Sequence, residues 1–365
     1  MKCAKRTWGR TNLDPSASVP PFPQEALLID AIPEMSADRV LCTSPGLGQF
    51  AEAAATAMPH AVVACTYLDQ YRASLALNHW LDPLPNLRIG CAADLPEEEA
   101  DVVAFPFAAA GDAELTRDLI QTGHERLRIG GKMYASTDNS NDSWMREQLS
   151  KVFNKLDRRA FPTGALYVGT KTEPLKKIKN FACEFAFRDQ GRLIRAFSRP
   201  GVFSHRHIDT GARRLIDEMQ IAPGARVLDI GCGAGVVALA AAFRGDGVTV
   251  HAVDSHARAV QCTQQGTQLN QLTNVTTELK ATGGYIGRGT YDLALANPPY
   301  YASFRIAEHF LTAGLDALRP GGRIVVVTKR PDWYQERMPE LYDRVTVKEV
   351  KSYHLVQGIR PSDGI

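Results

Sequence analysis

The sequence predicts an α/β protein made of two doubly wound domains joined by a basic segment. Three observations carry that expectation. Residues 225–243, ARVLDIGCGAGVVALAAAF, read as a short apolar strand, a glycine turn and an alanine-rich helix, the opening of a parallel sheet with crossover helices. The same order of features recurs in the first half of the chain at a nearly constant spacing. The 365 residues, 44% apolar and 22% charged, suit two globular domains and exclude a disordered, collagen-like or coiled-coil chain.

The second half is the clearer one. Its first strand, residues 226–230, contains Asp229, and Gly231, Gly233 and Gly235 follow around Cys232. Glycines let the backbone turn sharply and approach a ligand with no Cβ in the way. A second strand over 248–253 ends beside Asp254, where a carboxylate can take the hydroxyls of a ribose. A dinucleotide fingerprint would need glycine where Val236 stands, and the chain has no GKS or GKT, so pyrophosphate and phosphate-loop chemistry are not expected. Residues 291–296 form a third apolar strand, ended by Asn297, Pro298, Pro299 and Tyr300. The prolines stiffen the backbone and forbid a local helix. Asn297 keeps an amide donor and a carbonyl acceptor at the sheet edge, and Tyr300 adds a flat ring. The set suits a planar nitrogen substrate.

DIGCGAG, Asp254 and NPPY together resemble the class I S-adenosylmethionine-dependent methyltransferases that modify an exocyclic or amide nitrogen. The resemblance implies that Phe203, Asp229, Gly231, Cys232, Gly233, Gly235, Asp254 and Asn297 line the site of S-adenosyl-L-methionine. Asn297, with Pro298, Pro299 and Tyr300, would hold the methyl acceptor. Residues 318–323, LRPGGR, match the turn before a fifth strand, and 345–350 with 352–359 would close a seven-stranded sheet. Upstream, residues 199–211 read RPGVFSHRHIDTG. This is similar to the GVFS…D…G segment of the two-domain bacterial ribosomal RNA guanine-N2 methyltransferases, whose C type acts on the small and whose G type acts on the large ribosomal subunit. In that family Phe203 and Ser204 would lie near cofactor and substrate. The departure is Tyr300 and Tyr301, where the family has phenylalanine and histidine. Glutamine-modifying and adenine-N6 methyltransferases also use NPPY.

The first half repeats these features in a weakened form. Arg39 to Cys42 match Arg226 to Asp229 at an offset of 187, Ser44 to Gly48 stand where the glycine turn stands, and Leu127 to Lys132 repeat Leu318 to Arg323 at an offset of 191. Cys42 replaces Asp229, Thr66 stands near the place of Asp254, Phe105 replaces Asn297 and Ser44 the first glycine. A site without these groups has poor means of holding a ribose or an amine. The expected fold is therefore two Rossmann-like, methyltransferase-like domains from an internal duplication. The expected bounds are 1–160 for a degenerate, substrate-binding domain, 161–200 for the basic connection and 201–365 for the catalytic domain.

Formal net charge is only +2 over the chain, yet residues 151–214 hold fifteen basic and five acidic side chains. Lys176, Lys177 and Lys179 are the densest part, with Phe181, Phe185, Phe187 and Phe197 interleaved. Cations serve a phosphate backbone, and a ring serves a splayed base; Phe185 and Phe187 alternate as a core-facing strand does. The three lysines, Ser204, Arg206 and Tyr301 are the candidate substrate contacts. His205 and His207 lack metal-ligand spacing and read as polar surface or substrate contacts, so no metal is expected. Seven scattered cysteines without CxxC point to reduced thiols and a cytoplasmic protein. Neither a signal peptide nor a membrane span is expected. The partner implied is ribosomal RNA or a ribosomal subunit, and a monomer is compatible with that role. The expected function is N2-methylation of a guanine in ribosomal RNA. The alternatives are a protein glutamine-N5 or adenine-N6 methyltransferase, and a non-catalytic RNA-binding protein.

Overall fold

The computed structural model describes residues 19–80, 84–299 and 304–362. The first domain runs α1 (Pro23–Asp30), β1 (Arg39–Cys42), α2 (Gln49–Ala57), β2 (Val62–Tyr67), α3 (Gln70–His79), β3 (Leu87–Cys91), β4 (Ala100–Phe107), α4 (Ala113–Arg126), β5 (Leu127–Thr137), α5 (Trp144–Ser150), β6 (Lys155–Phe161) and β7 (Gly164–Thr170). A hairpin of β8 (Cys183–Asp189) and β9 (Arg192–Ser198) follows. The second domain runs α6 (Thr210–Glu218), β10 (Arg226–Ile230), α7 (Val236–Ala242), β11 (Thr249–Asp254), α8 (Ala257–Leu269), β12 (Val275–Leu279), β13 (Tyr291–Ala296), α9 (Arg305–Ala317), β14 (Leu318–Thr328), α10 (Pro331–Arg337), β15 (Asp343–Val350) and β16 (Tyr353–Ile359).

Each domain has a seven-stranded sheet, and the two have one topology: β3-β2-β1-β4-β5-β7-β6 and β12-β11-β10-β13-β14-β16-β15. The central strands are parallel, and the last pair closes each sheet antiparallel. Buried on both faces, the central strands are near-continuous apolar runs: Val40 to Cys42 and Val227 to Ile230 are all at most 3% exposed. Small contacts repeat with the topology. Asn86 donates its amide to Ala55 O and Ala61 O, as Asn274 does to Ala242 O and Val248 O. Arg128 pairs with Asp101, as Arg319 does with Asp292. The duplication thus reaches individual polar contacts.

Strand pairing corrects two correspondences and one boundary. Arg39 is level with Val62, and Arg226 with Thr249, so Tyr67, not Thr66, occupies the place of Asp254. Val40 is level with Val102, and Val227 with Leu293, which puts Pro106, not Phe105, in the place of Asn297. β7 inserts between β5 and β6, so the first sheet extends to Thr170, past the expected boundary at 160. The hairpin belongs with the second domain, because Phe187, Ile194 and Ala196 enter its core.

The basic segment 151–214 is less available for RNA than its charge suggests. Seven of its fifteen cations, Lys151, Arg159, Arg195, Arg199, Arg206, Arg213 and Arg214, are in ion pairs. Buried Lys171 donates to Glu125 O and Leu127 O, closing the end of α4. Phe181 is 5% exposed, so its ring is not offered to a splayed base, and half-buried Phe197 packs with Val202 and Ala234. Among the described residues, no helix is long and apolar enough to cross a membrane.

Candidate active site

Strand order in the second sheet reverses between β10 and β13, and open parallel sheets bind ligands beyond the carboxyl ends of their strands at such a point. Gly231, Gly233 and Gly235 turn there with φ of 75°, 55° and 78°. The N–H groups of Gly231 and Cys232 donate to Val253 O at 2.8 and 3.0 Å, tying the turn to β11. A Cβ on Gly231 would stand 2.7 Å from the Phe310 ring, whereas one on Gly233 would meet nothing within 4 Å. Gly233 therefore presents bare backbone to open space, as a closely held ligand requires.

Asp254 closes one side of this space. Its Oδ2 accepts from Gly233 N–H at 2.9 Å and its Oδ1 from His256 N–H at 2.8 Å. Burial pushes its carboxyl up to about 6 against the pull of those two donors, and nearby Asp69 adds to the rise. A carboxylate has about four acceptor positions, so two remain for a diol. Asp229 stands behind the turn. It is 3% exposed and accepts from Ala238 N–H at 3.0 Å at the start of α7, and burial raises its carboxyl to about 7. The Cys232 thiol is also buried, 3.3 Å from the Thr263 hydroxyl, and burial pushes it well above the usual thiol range. It is no nucleophile.

Asn297 lies just past β13 and is half-buried. Its Nδ2 donates to Asp209 Oδ2 at 2.9 Å. The same oxygen accepts from Ala212 N–H at 2.9 Å, so Asp209 is also the N-cap of α6. Only the NH2 end of an amide can face a carboxylate, which turns Asn297 Oδ1 the other way. A Cβ on Gly211 would lie 2.9 Å from that Oδ1, so glycine keeps the space beside it clear. The sequence carried Asp209 and Gly211 only as letters of a motif. Their placement against Asn297 was the part sequence reasoning missed, and the one available signal was an aspartate opening a helix. Pro298 is buried and Pro299 half-buried; Tyr300 and Tyr301 lie outside the described residues.

The GVFS segment packs through Val202, which joins Ala234 of the glycine turn in a small apolar cluster. Phe203 beside it is 61% exposed. Ser204, at φ 57°, gives its hydroxyl to His207 O at 3.1 Å. Two expectations change here. Arg206 is not a free cation, because its Nε and Nη2 each bind Glu114 of the first domain at 3.0 Å. His205 is not a surface group, since its ring is held by Ser198 Oγ at 2.7 Å and Phe181 O at 3.1 Å. Lys176, Lys177 and Lys179 are all exposed. The Lys179 backbone is pinned to α4 by Gln121, whose amide donates to Lys179 O at 3.0 Å and accepts from its N–H at 2.7 Å. A cavity of about 440 Å³ lies behind this strap, lined by Gln121, Asn180, Arg199 and Gln261. None of its lining residues belongs to the glycine turn or to NPPY, so it is separate from the strand-end site.

The matching place in the first domain is filled by its own side chains. Tyr67 donates to Gly46 O at 3.1 Å, Trp80 to Leu47 O at 2.7 Å and Arg72 to Pro45 O at 2.6 Å. Ser44 Oγ accepts from Gly46 and Gly48 N–H and donates to Glu25 at 2.8 Å. The turn's polar groups are thus largely satisfied from within.

Residues 194–357 match the family model of the methyltransferase small domain. That match lies within the second domain and the hairpin before it. The chain is also similar to several known proteins. It is 31% identical over 175 residues to ribosomal RNA small subunit methyltransferase C of Chromohalobacter salexigens, covering 45% of this chain and 51% of the relative. It is 30% identical over 164 residues to ribosomal RNA large subunit methyltransferase G of Photobacterium profundum, covering 42% and 43%. An uncharacterized Bacillus subtilis protein, YbxB, is 27% identical over 189 residues, 50% of this chain and 93% of its own. The chain thus spans about half the length of the ribosomal RNA methyltransferases it matches. A solved structure of a T. thermophilus 16S rRNA N2 methyltransferase (RsmC), with AdoMet and guanosine, superposes with a TM-score of 0.73 at 20% identity, covering 93% and 92%. That likeness spans both domains and establishes the shared fold.

Proposed function

We propose that the chain is an S-adenosylmethionine-dependent methyltransferase acting on the exocyclic N2 of a guanine in ribosomal RNA. The observation that carries this reading is the Asn297 carboxamide, held by Asp209 with its oxygen free at the end of β13. The open backbone at Gly233 and the remaining acceptor positions of Asp254 fit the cofactor's amino-acid chain and ribose. S-adenosyl-L-methionine, when bound, supplies a methyl group electrophilic enough to need no further activation.

The task left to the protein is to align a weak nucleophile. The lone pair of an exocyclic guanine amine is delocalised into the ring. Asn297 Oδ1 and the Pro298 carbonyl would accept the two N–H groups and restore lone-pair density toward the methyl. Rigid prolines fix that carbonyl, and Asp209 fixes the amide, so orientation precedes binding. Exposed Phe203, with Tyr300 and Tyr301, would contact the base, Ser204 would shape the turn beside it, and Lys176, Lys177 and Lys179 would meet phosphates. The filled turn of the first domain supports a substrate-binding role for residues 1–160 and their extension to Thr170. The activities for which the relatives from Chromohalobacter salexigens and Photobacterium profundum are named support ribosomal RNA as the substrate class.

Mass spectrometry of ribosomal RNA from a deletion strain tests the reading. One N2-methylguanosine should be missing, and the wild-type gene, but not Asn297→Ala, should restore it. A complete modification pattern in the deletion strain would overturn it.

A further inference from the structure

The two domains meet through matched segments. Gln70 N–H donates to Ser255 O and Ala257 N–H to Leu68 O, both at 2.7 Å, and Asp69 bridges His256 in antiparallel fashion. Under the duplication, Leu68 corresponds to Ser255 and Gln70 to Ala257. The helix after the second strand of each sheet therefore reaches the loop after the third strand of the other.

The side chains that make this reach differ. Toward the first domain goes Arg258, fully buried, with Nε donating to Ala93 O at 2.8 Å, Nη1 to Pro200 O at 3.0 Å and Nη2 lying 2.7 Å from Asp118. It fills the space it enters. Toward the second domain goes Gln70, half-buried, with Oε1 accepting from Ala281 N–H at 2.7 Å. Its Nε2 has no partner among the described residues. Beside it, Asp69 accepts from the Ser255 hydroxyl at 2.6 Å.

The sheet order gives this position a meaning. The glycine turn follows β10, Asp254 ends β11, and Ala281 lies two residues past the end of β12. Neighbouring strands lie about 4.8 Å apart, close to the step from a ribose to the base it carries. A ligand with its chain over Gly233 and its ribose on Asp254 thus sets its base over the end of β12, against Gln70. A carboxamide with a free NH2 and one unused oxygen lone pair matches the edge of adenine, where a ring-nitrogen acceptor adjoins an amine donor.

We infer that Gln70 of the first domain hydrogen-bonds the adenine of the cofactor bound to the second. The domain whose own turn is filled would then complete its partner's site. This rests on the cofactor reading given above, and the experiment separates the two.

Calorimetry on the full chain with S-adenosylhomocysteine, and with its analogue carrying hypoxanthine for adenine, tests it. Gln70→Glu keeps the acceptor for Ala281 N–H but removes the donor; Gln70→Ala removes both. Each should weaken S-adenosylhomocysteine about tenfold, the scale of one lost hydrogen bond to a buried partner, and shrink the preference for adenine. Wild-type affinity in Gln70→Glu, or an unchanged preference for adenine, overturns the inference while leaving the cofactor reading intact if Asp254→Ala still weakens binding. Unchanged affinity in Asp254→Ala overturns the cofactor placement, and the role of Gln70 with it.

Discussion

Asp209→Ser separates two duties of one oxygen. Asp209 Oδ2 caps α6 through Ala212 N–H and orients Asn297 through its Nδ2, each at 2.9 Å. Serine ranks with aspartate as an N-cap, so α6 should keep its start and the melting temperature should change little. The shorter hydroxyl does not reach Asn297, and the amide is released to rotate. A hydrogen bond to a charged group contributes roughly 1.5–3 kcal/mol. If that energy serves to hold Oδ1 toward the acceptor nitrogen, methyl transfer should slow by roughly 10- to 150-fold. The assay is a single turnover with RNA and cofactor both saturating, which isolates the chemical step. Asp209→Asn, whose carbonyl can still accept from both donors, should lose less. A serine variant with wild-type single-turnover rate would refute the orienting role, and equal losses for serine and asparagine would show that charge matters and geometry does not.

Three further outcomes follow from the same geometry. Calorimetry should find one S-adenosylmethionine site per chain, because Tyr67, Trp80 and Arg72 already hold the carbonyls of the first turn; a second site of similar affinity would contradict that. Asp254, raised to about 6 by burial, accepts from a diol best when ionised, so cofactor affinity should be level above pH 6. It should then fall by about tenfold per unit as pH drops below that value, whereas flat affinity down to pH 4.5 would remove its role. Replacing Lys176, Lys177 and Lys179 with Ala should lower the slope of log K for RNA against log salt by about two to three units, read by filter binding; an unchanged slope would make the run a solvated strap.

Much of the second domain could be read from the chain because its signals are local. Glycines at 231, 233 and 235, the acid at 254 and NPPY each sit within a few residues of a strand end, and strand ends are where such folds bind. The first domain shows where local reading stops. Its duplication was visible through RVLC and the LRIGGK turn, yet Thr66 and Phe105 were each one residue off register. Strand register is fixed by pairing across the sheet, and the degenerate copy retains no acid or asparagine to anchor an alignment. Asp209 and Asn297 lie 88 residues apart, and Arg206 and Glu114 lie 92 apart. No spacing rule links such partners. The basic segment misled in another way. Its net charge is strongly positive, but seven of its cations are neutralised by acids, most of which, Glu34, Asp94, Glu114, Glu147 and Asp217, lie outside the segment.

The matched contact at Leu68 to Gln70 and Ser255 to Ala257 is self-complementary in the way a symmetric homodimer interface is. Asp69 and His256 sit where its two-fold axis would pass. In a homodimer every substitution occurs twice, so a change that closes one pocket closes both. Joining the copies in one chain removes that constraint. Arg258 can plug one half while Gln70, its near counterpart, leaves the other open. The linkage also makes the halves permanent neighbours at any protein concentration, so neither needs to be stable by itself. The asymmetry between a filled half and an open one is thus a freedom that fusion confers and that separate identical protomers could not have.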